Sequence, residues 1–572
     1  MKQLRFILPV LALLLAVSCQ TKPGRETPLP VQTPAAAEPE KPAGSGGIVE
    51  EIRGLAEKGT PSSLAQALDL IRNRDAGNTE FGRAMNGVCG TLLKTLYPSV
   101  KVQIPQIDLP QNNNYAKILR DNEKGVYTSY AGSRDYLELT LPFLALYTDS
   151  SRPQYKESLQ AALPDLRKAA ANNPDSVLAP LFCGIIYERT GQNALAMEQY
   201  SAAWGLSAEC YPAALGMARL MELQNQTGDE VNFLSDLTIS FPDNFEIKRQ
   251  LAIAYYKTGN WSRAEPAIAE ILQRDSRDGE FILMRAHVLV EQGQYIQAQA
   301  PLDLYASINP NSRLYLYLRA RVQFEGYRNR DAALNYLRSL LKNSPDLIDD
   351  EATVYAARLL LESSRDTDKQ EGRNLLGRLL ENPNPSLILI TLALQDAIRR
   401  EDWNTARTYM NQLLSRRRSS QDLLDAYTVE KGQGNNAAAL SYARELYEKD
   451  PASEDGVFAY ITALIDTGRQ TEAASMIESR LKSAPGGVTK SRYYFLRSRT
   501  QKDEETVMND LRSSLFEDPR NLNALIAMFE IYHRRKDERR AVYYLKQALA
   551  LAPDNPQLLR YVPEYSSLLG PM

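Results

Sequence analysis

The sequence predicts an all-α solenoid, a stack of two-helix units behind an N-terminal tether, on three observations. Prolines close successive units at Pro451, Pro485, Pro519 and Pro553, each 34 residues after the last. Upstream, Gly259, Trp261 and Ala264 recur 34 residues on as Gly293, Tyr295 and Ala298. Between these marks apolar residues fall at helical spacing: Phe458, Ile461, Ala463 and Leu464, then, past Asp466-Thr467-Gly468, Ala473, Ala474, Ile477 and Leu481. Glycine suits the left-handed residue after a helix, so each unit reads helix, glycine turn, helix, proline break. A two-helix unit of this length cannot bury its apolar face alone and must stack on its neighbours.

The chain begins with Lys2 and Arg5 and an apolar run from Phe6 to Val17. That run is too short to span a bilayer and fits a signal peptide over 1–18. Leu15-Ala16-Val17-Ser18-Cys19 resembles a bacterial lipobox, which implies that Cys19 is lipidated and becomes the mature N-terminus. Gln20 is not the aspartate of an inner-membrane retention signal, which favours the outer membrane. Residues 19–47 carry Pro28, Pro30, Pro34, Pro39 and Pro42 and end in Gly44-Ser45-Gly46-Gly47, a composition that cannot bury enough apolar surface to offset chain entropy. A disordered tether reaching about 30 Å is expected there.

Residues 48–173 read as a helical region outside clean repeat register, either degenerate repeats or a cap. Helices are expected over Ile48–Ala56, Ser63–Asn73, Phe81–Leu96, Leu137–Tyr147 and Tyr155–Ala171, with Val100–Pro110 as an extended, proline-bearing loop. Residues 174–346 form a first repeat array, in which Gly191 and Ala196 lie two periods before Gly259 and Ala264, and Ala332 continues the series from Ala298. Residues 347–386 are an irregular unit about six residues too long, and 387–572 complete the array and its C-terminal cap, with Trp403 and Ala406 marking the first unit. Helix, glycine turn, small residue in the second helix and closing proline, over roughly eleven units, resemble the tetratricopeptide repeat. The resemblance implies a right-handed superhelix whose first helices line a binding face.

With 67 basic and 70 acidic residues the formal net charge is −3, which gives no global field to hold nucleic acid. Catalytic and metal signatures are absent. His287 and His533 are the only histidines, no phosphate-binding or dinucleotide loop occurs, and Cys89, Cys183 and Cys210 show no metal or disulfide spacing. No enzyme activity, cofactor or metal is therefore expected. Asp349-Asp350-Glu351 falls where a first helix should start, where acidic residues favour the helix dipole. Arg416-Arg417-Arg418 and the mixed run Arg534–Arg540 read as solvated turns, with a docking patch for an acidic partner or lipid headgroups as the alternative.

What a repeat array offers is a groove. In Phe245–Asp278, Leu251, Ala252 and Tyr255 are packing positions, so Arg249, Ile253 and Tyr256 share the neighbouring face. Steps of 34 add Leu283, His287 and Val290, then Tyr317, Arg321 and Phe324. This face is apolar, aromatic and cationic, suited to a peptide with acidic residues among hydrophobic anchors. The lysine and asparagine pattern with which chaperone-binding members clamp a terminal carboxylate is not reproduced at these positions. The whole chain is similar to tetratricopeptide-repeat lipoproteins of diderm bacteria, spirochaetes included. That implies a membrane-anchored, periplasm-facing scaffold for protein partners in envelope assembly, transport or cell-wall machinery. The alternative is a transporter-accessory lipoprotein that binds a small ligand or pairs with a solute-binding protein.

Overall fold

A computed structural model describes residues 45–106, 159–343 and 349–569. Every regular element among them is helical, and the chain divides into two units, Met1–Ile247 and Lys248–Met572. The expected signal peptide, Cys19, nearly all of the tether and the helix at Leu137–Tyr147 lie outside the described residues.

In the first unit, helices Ser45–Lys58, Pro61–Asn73 and Glu80–Leu96 precede the pairs Leu178–Arg189 with Asn193–Leu206 and Tyr211–Leu223 with Thr227–Ser240. Thr60 caps the second helix through a reciprocal pair of bonds with Ser63, and Pro61 takes a position where no backbone donor is needed. Tyr97, fully buried, donates to the Gly59 carbonyl at 3.0 Å, and Val177 N donates to Lys58 O, so the N-terminal helices are locked to the first pair. Residues 101–106 run as a loop, held by Arg72 on the Gln103 carbonyl and Asn86 on the Pro105 carbonyl. Cys89, Cys183 and Cys210 are buried free thiols.

The second unit repeats one device. In most of its pairs a left-handed residue turns the first helix into the second, and the second helix offers a small side chain at its fourth position. In this unit glycine supplies the turn at Gly259, Gly293, Gly434 and Gly468, while Arg328, Glu401 and Lys536 adopt the same positive φ without being glycine. Ala264, Ala298, Ala406, Ala439, Ala473 and Ala541 are all at most 2% exposed. Aromatic residues open several second helices. The carbonyls of Trp261 and Trp403 accept from Gln292 and Gln433 at 3.0 Å, the same bond just past the end of the next first helix.

The indole of Trp403 lies against Gly432, where a Cβ would come within 2.5 Å of ring atoms. Gly432→Ala is expected to cost about 1–3 kcal/mol by overpacking. Gly377→Ala, on an open helix face, should instead stabilise by about 0.5–1 kcal/mol. Denaturant unfolding of both variants checks this, and equal effects would contradict the packing described.

Two departures from the 34-residue count have visible causes. The first helix Arg313–Arg321 continues into a π-helical turn, Val322–Gly326, which inserts one residue. The next left-handed residue is therefore Arg328, 35 after Gly293. The alanine that fills the core slot is Ala333, fully buried, and not Ala332 as counting predicts. In the irregular unit, helices Glu351–Leu361 and Asp366–Leu379 are joined by a polar knot with no left-handed glycine. Asp368 takes the alanine slot, accepting from Ser363 at 2.7 Å, Arg338 at 2.8 Å and Arg365 at 2.9 Å, and these donors, Ser363 first, hold its carboxyl below the usual range. The long connection 380–386 then delays the next helix, Leu387–Arg399.

Arg416, Arg417 and Arg418 are exposed, as expected of a solvated turn, but each is tied to a partner. Arg416 donates to the Pro385 carbonyl, Arg417 forks onto buried Asp422, and Arg418 forks onto Glu445. Arg535 is likewise paired with Glu504 at 2.6 Å.

Candidate functional site

The nine residues expected to line a groove are carried by the first helices Phe245–Lys257, Gly279–Glu291 and Arg313–Arg321 and the π turn that follows. Their side chains meet one another more than they meet solvent. Arg249 is ion-paired with Asp278, lies 3.8 Å from Glu280 and stacks 4.4 Å above the Phe281 ring. Tyr256 Oη is 2.5 Å from His287 Nδ1, and His287 Nε2 is 3.6 Å from Glu291. Glu291 and Glu325 both pair with Arg321, which also lies 5.7 Å over Tyr317, whose hydroxyl donates to Glu351 at 2.7 Å. A ladder thus runs from one repeat to the next, and the arginines that the sequence offers as free cations are neutralised within the protein.

The electrostatics follow from this. Burial works against the charge of Arg321, but Tyr317, Glu325 and Glu291 outweigh it and hold its pKa above normal. Burial pushes the Tyr256 hydroxyl up to about 12, with Glu291 adding to the effect. Burial also depresses His287 below the ordinary imidazole value, opposed by Glu291 and assisted by Arg321. A depressed folded pKa means the unfolded chain takes up the proton first. The contribution of His287 is therefore intact above the unfolded value of about 6.5 and lost as pH falls through that value towards the folded pKa. Between about pH 7.5 and about pH 5.5, the thermal midpoint should fall less in His287→Gln than in the wild type. An equal fall would remove His287 from the acid response.

The remaining expected residues divide. Val290 is fully buried in the core, so it cannot line a groove. Ile253 is half-buried, and Phe324 sits half-buried on the π turn beneath Arg330 at 4.7 Å. Tyr256 and Leu283 border a shallow cleft of about 420 Å³ with Met284, Tyr305, Ile308 and Leu314. Tyr317 and Arg321 border a larger one of about 520 Å³, which continues across helices Glu351–Leu361 and Leu387–Arg399. Its apolar wall is Val354, Tyr355, Leu392 and Ile388, with Arg358 among its charged residues.

Sequence reasoning missed Val354, Arg358, Ile388 and Leu392. They occupy the face that Tyr317 and Arg321 begin, but the π turn and the long connections shift the register, so Arg358 follows Arg321 by 37 residues instead of 34. Asp349, Asp350 and Glu351, expected at a helix start, stand at the cleft's edge. Asp350 is the N-cap, accepting from Thr353 N at 2.9 Å and from both forks of Arg313. Asp349 accepts from the backbone and hydroxyl of Ser386 at 2.8 and 3.0 Å. Among the described residues no group of His, Cys, Asp and Glu is placed to hold a metal ion.

Residues 249–313, which include the first three rungs of this ladder, match the model of the tetratricopeptide repeat family. Solved structures with a similar fold include the Cut9–Hcn1 hetero-tetramer of APC/C, at 15% identity and TM-score 0.35 over 79% of this chain and 87% of that one. PilW, a type IV pilus biogenesis factor, is similar at 20% identity and TM-score 0.33 over 37% of this chain and 96% of its own. Yeast Tom70 is similar at 13% identity and TM-score 0.32 over 74% and 95%. No curated protein matches the sequence.

Proposed function

We propose that this solenoid of tetratricopeptide type is a scaffold that binds protein segments along its first-helix face. The observation that carries this is the cleft of about 520 Å³, built from three successive first helices and open along one side, with an apolar wall flanked by charged groups. Convergent aromatic and aliphatic side chains from rigid helices give a preorganised seat, and a segment laid across several repeats engages them together. Ile388, 64% exposed at the start of its helix, borders the cleft without contributing to the buried core. Ile388→Glu should abolish capture of the bound segment while leaving the thermal unfolding of the protein unchanged. Undiminished capture would place binding on another face.

The scaffold is proposed to be held at the cell envelope by a lipid on Cys19 and to face the periplasm, in the outer membrane in preference to the inner. What supports this is the run of Lys2, Arg5, Phe6–Val17 and Leu15-Ala16-Val17-Ser18-Cys19. Among the described residues no helix is long and apolar enough to cross a membrane. Cys19→Ser is expected to move the protein from the detergent phase to the aqueous phase of a phase-partition assay. A variant that still partitions into detergent would remove the anchor. The cleft's volume also falls in the range of small-molecule pockets, which favours the transporter-accessory alternative as the second reading. A copurifying small molecule displaced by Ile388→Glu would mark it.

A further inference from the structure

We infer that the segment taken by this cleft carries an acidic side chain next to a bulky apolar one, with Arg358 receiving the carboxylate and Ile388 the apolar group. This rests on the protein-binding reading of the same cleft and adds its chemistry.

A charged group left without an internal hydrogen-bond partner among the described residues singles out Arg358. The cleft holds more acids than bases, but each acid already accepts from the protein. Glu325 accepts from Tyr295 at 2.5 Å and from Arg321, Asp349 from Ser386, Asp350 from Arg313 and Thr353, and Glu351 from Tyr317. Arg321 lies between Glu291 and Glu325. Arg358 differs. It is exposed, its guanidinium lies 5.0 Å from the centre of the Tyr355 ring, and among the described residues no carboxylate pairs with it. A guanidinium resting on an aromatic face is oriented while its N–H fork stays available, the geometry that receives a carboxylate with two parallel bonds. Val354, Leu392 and exposed Ile388 border the same cleft, so the unpaired cation and the unpaired apolar surface form one patch. A basic segment would instead have to share carboxylates with donors already in place. The sequence assigns this role to Arg249 and Arg321, but their ion pairs leave it to Arg358.

The test is selection of a displayed random dodecapeptide library on the immobilised full-length protein and on its Arg358→Glu and Ile388→Glu variants. Both substituted residues are exposed, and matching thermal unfolding would confirm that the variants fold. Enrichment of peptides pairing Asp or Glu with Leu, Ile or Phe is expected. Affinity should drop roughly tenfold or more on Arg358→Glu, with a shift towards Lys- and Arg-bearing peptides. Peptides that need Ile388 but are neutral or basic, or that bind Arg358→Glu equally well, would overturn the acidic assignment and leave the binding cleft standing. Failure to enrich any peptide whose capture depends on either residue would overturn both.

Discussion

Ala333→Asp is expected to destabilise the repeat at helices Arg313–Arg321 and Arg330–Asn343 by about 3 kcal/mol or more, because it places an unpaired carboxylate in a fully buried slot. Ala264→Asp should do the same nearer the N-terminal end of the array, since Ala264 is also fully buried. Ala332→Asp is the informative control. A strict 34-residue count puts Ala332 in the slot, but the π turn moves it to a half-buried position in the first turn of its helix, where an acid suits the dipole. Its effect should lie within about 0.5 kcal/mol. Stacked repeats unfold in parts, so hydrogen exchange resolved by helix is the measurement that suits the comparison. Equal protection in the Ala332 and Ala333 variants would mean that the π turn does not shift the register.

The second large effect is at Arg321. Its side chain is 13% exposed and serves Glu291 and Glu325 together, whose side chains are only 25% and 22% exposed. Arg321→Ala leaves two partly buried carboxylates facing each other and is expected to cost about 3 kcal/mol. Charge reversal there should be worse. Arg358→Ala should be close to neutral for stability, since Arg358 is exposed and pairs with no carboxylate among the described residues. From the sequence alone, reversing Arg249 and Arg321 would weaken binding and spare the fold. The ion pairs of both residues make the fold itself the expected casualty, which chemical unfolding of Arg321→Ala measures directly.

The helical repeat was legible because its signals are local. Gly259, Gly293, Gly434 and Gly468 mark turns that need a left-handed residue, and Ala264, Ala298, Ala406 and Ala439 mark the closest helix approach. Where Arg328, Glu401 and Lys536 take that backbone conformation, the turn is the same but the signal disappears, since tertiary packing and not residue type imposes the angle. The site was legible only in part. Tyr317 and Arg321 do border the cleft, and Tyr256 and Leu283 border its smaller neighbour. Val290 was misplaced although Tyr256, one period earlier, reaches the cleft: the shorter valine side chain stays within the core cluster. Arg358 and Ile388 stayed hidden behind one inserted π-helical residue and a long connection, which no periodic count anticipates. The pairing of Arg321 with Glu291 and Glu325 was equally invisible, because one carboxylate lies on the preceding repeat.

A partner seated in the first-helix cleft must pass close to Ile388. A photo-crosslinking amino acid placed at that position tests this in intact cells, against the same probe at Phe516, which is 86% exposed on a second helix. A discrete crosslinked species is expected from position 388, lost with Arg358→Glu, and none from position 516. A product from 516 alone, or one from 388 that is indifferent to Arg358, would contradict binding in the cleft as described.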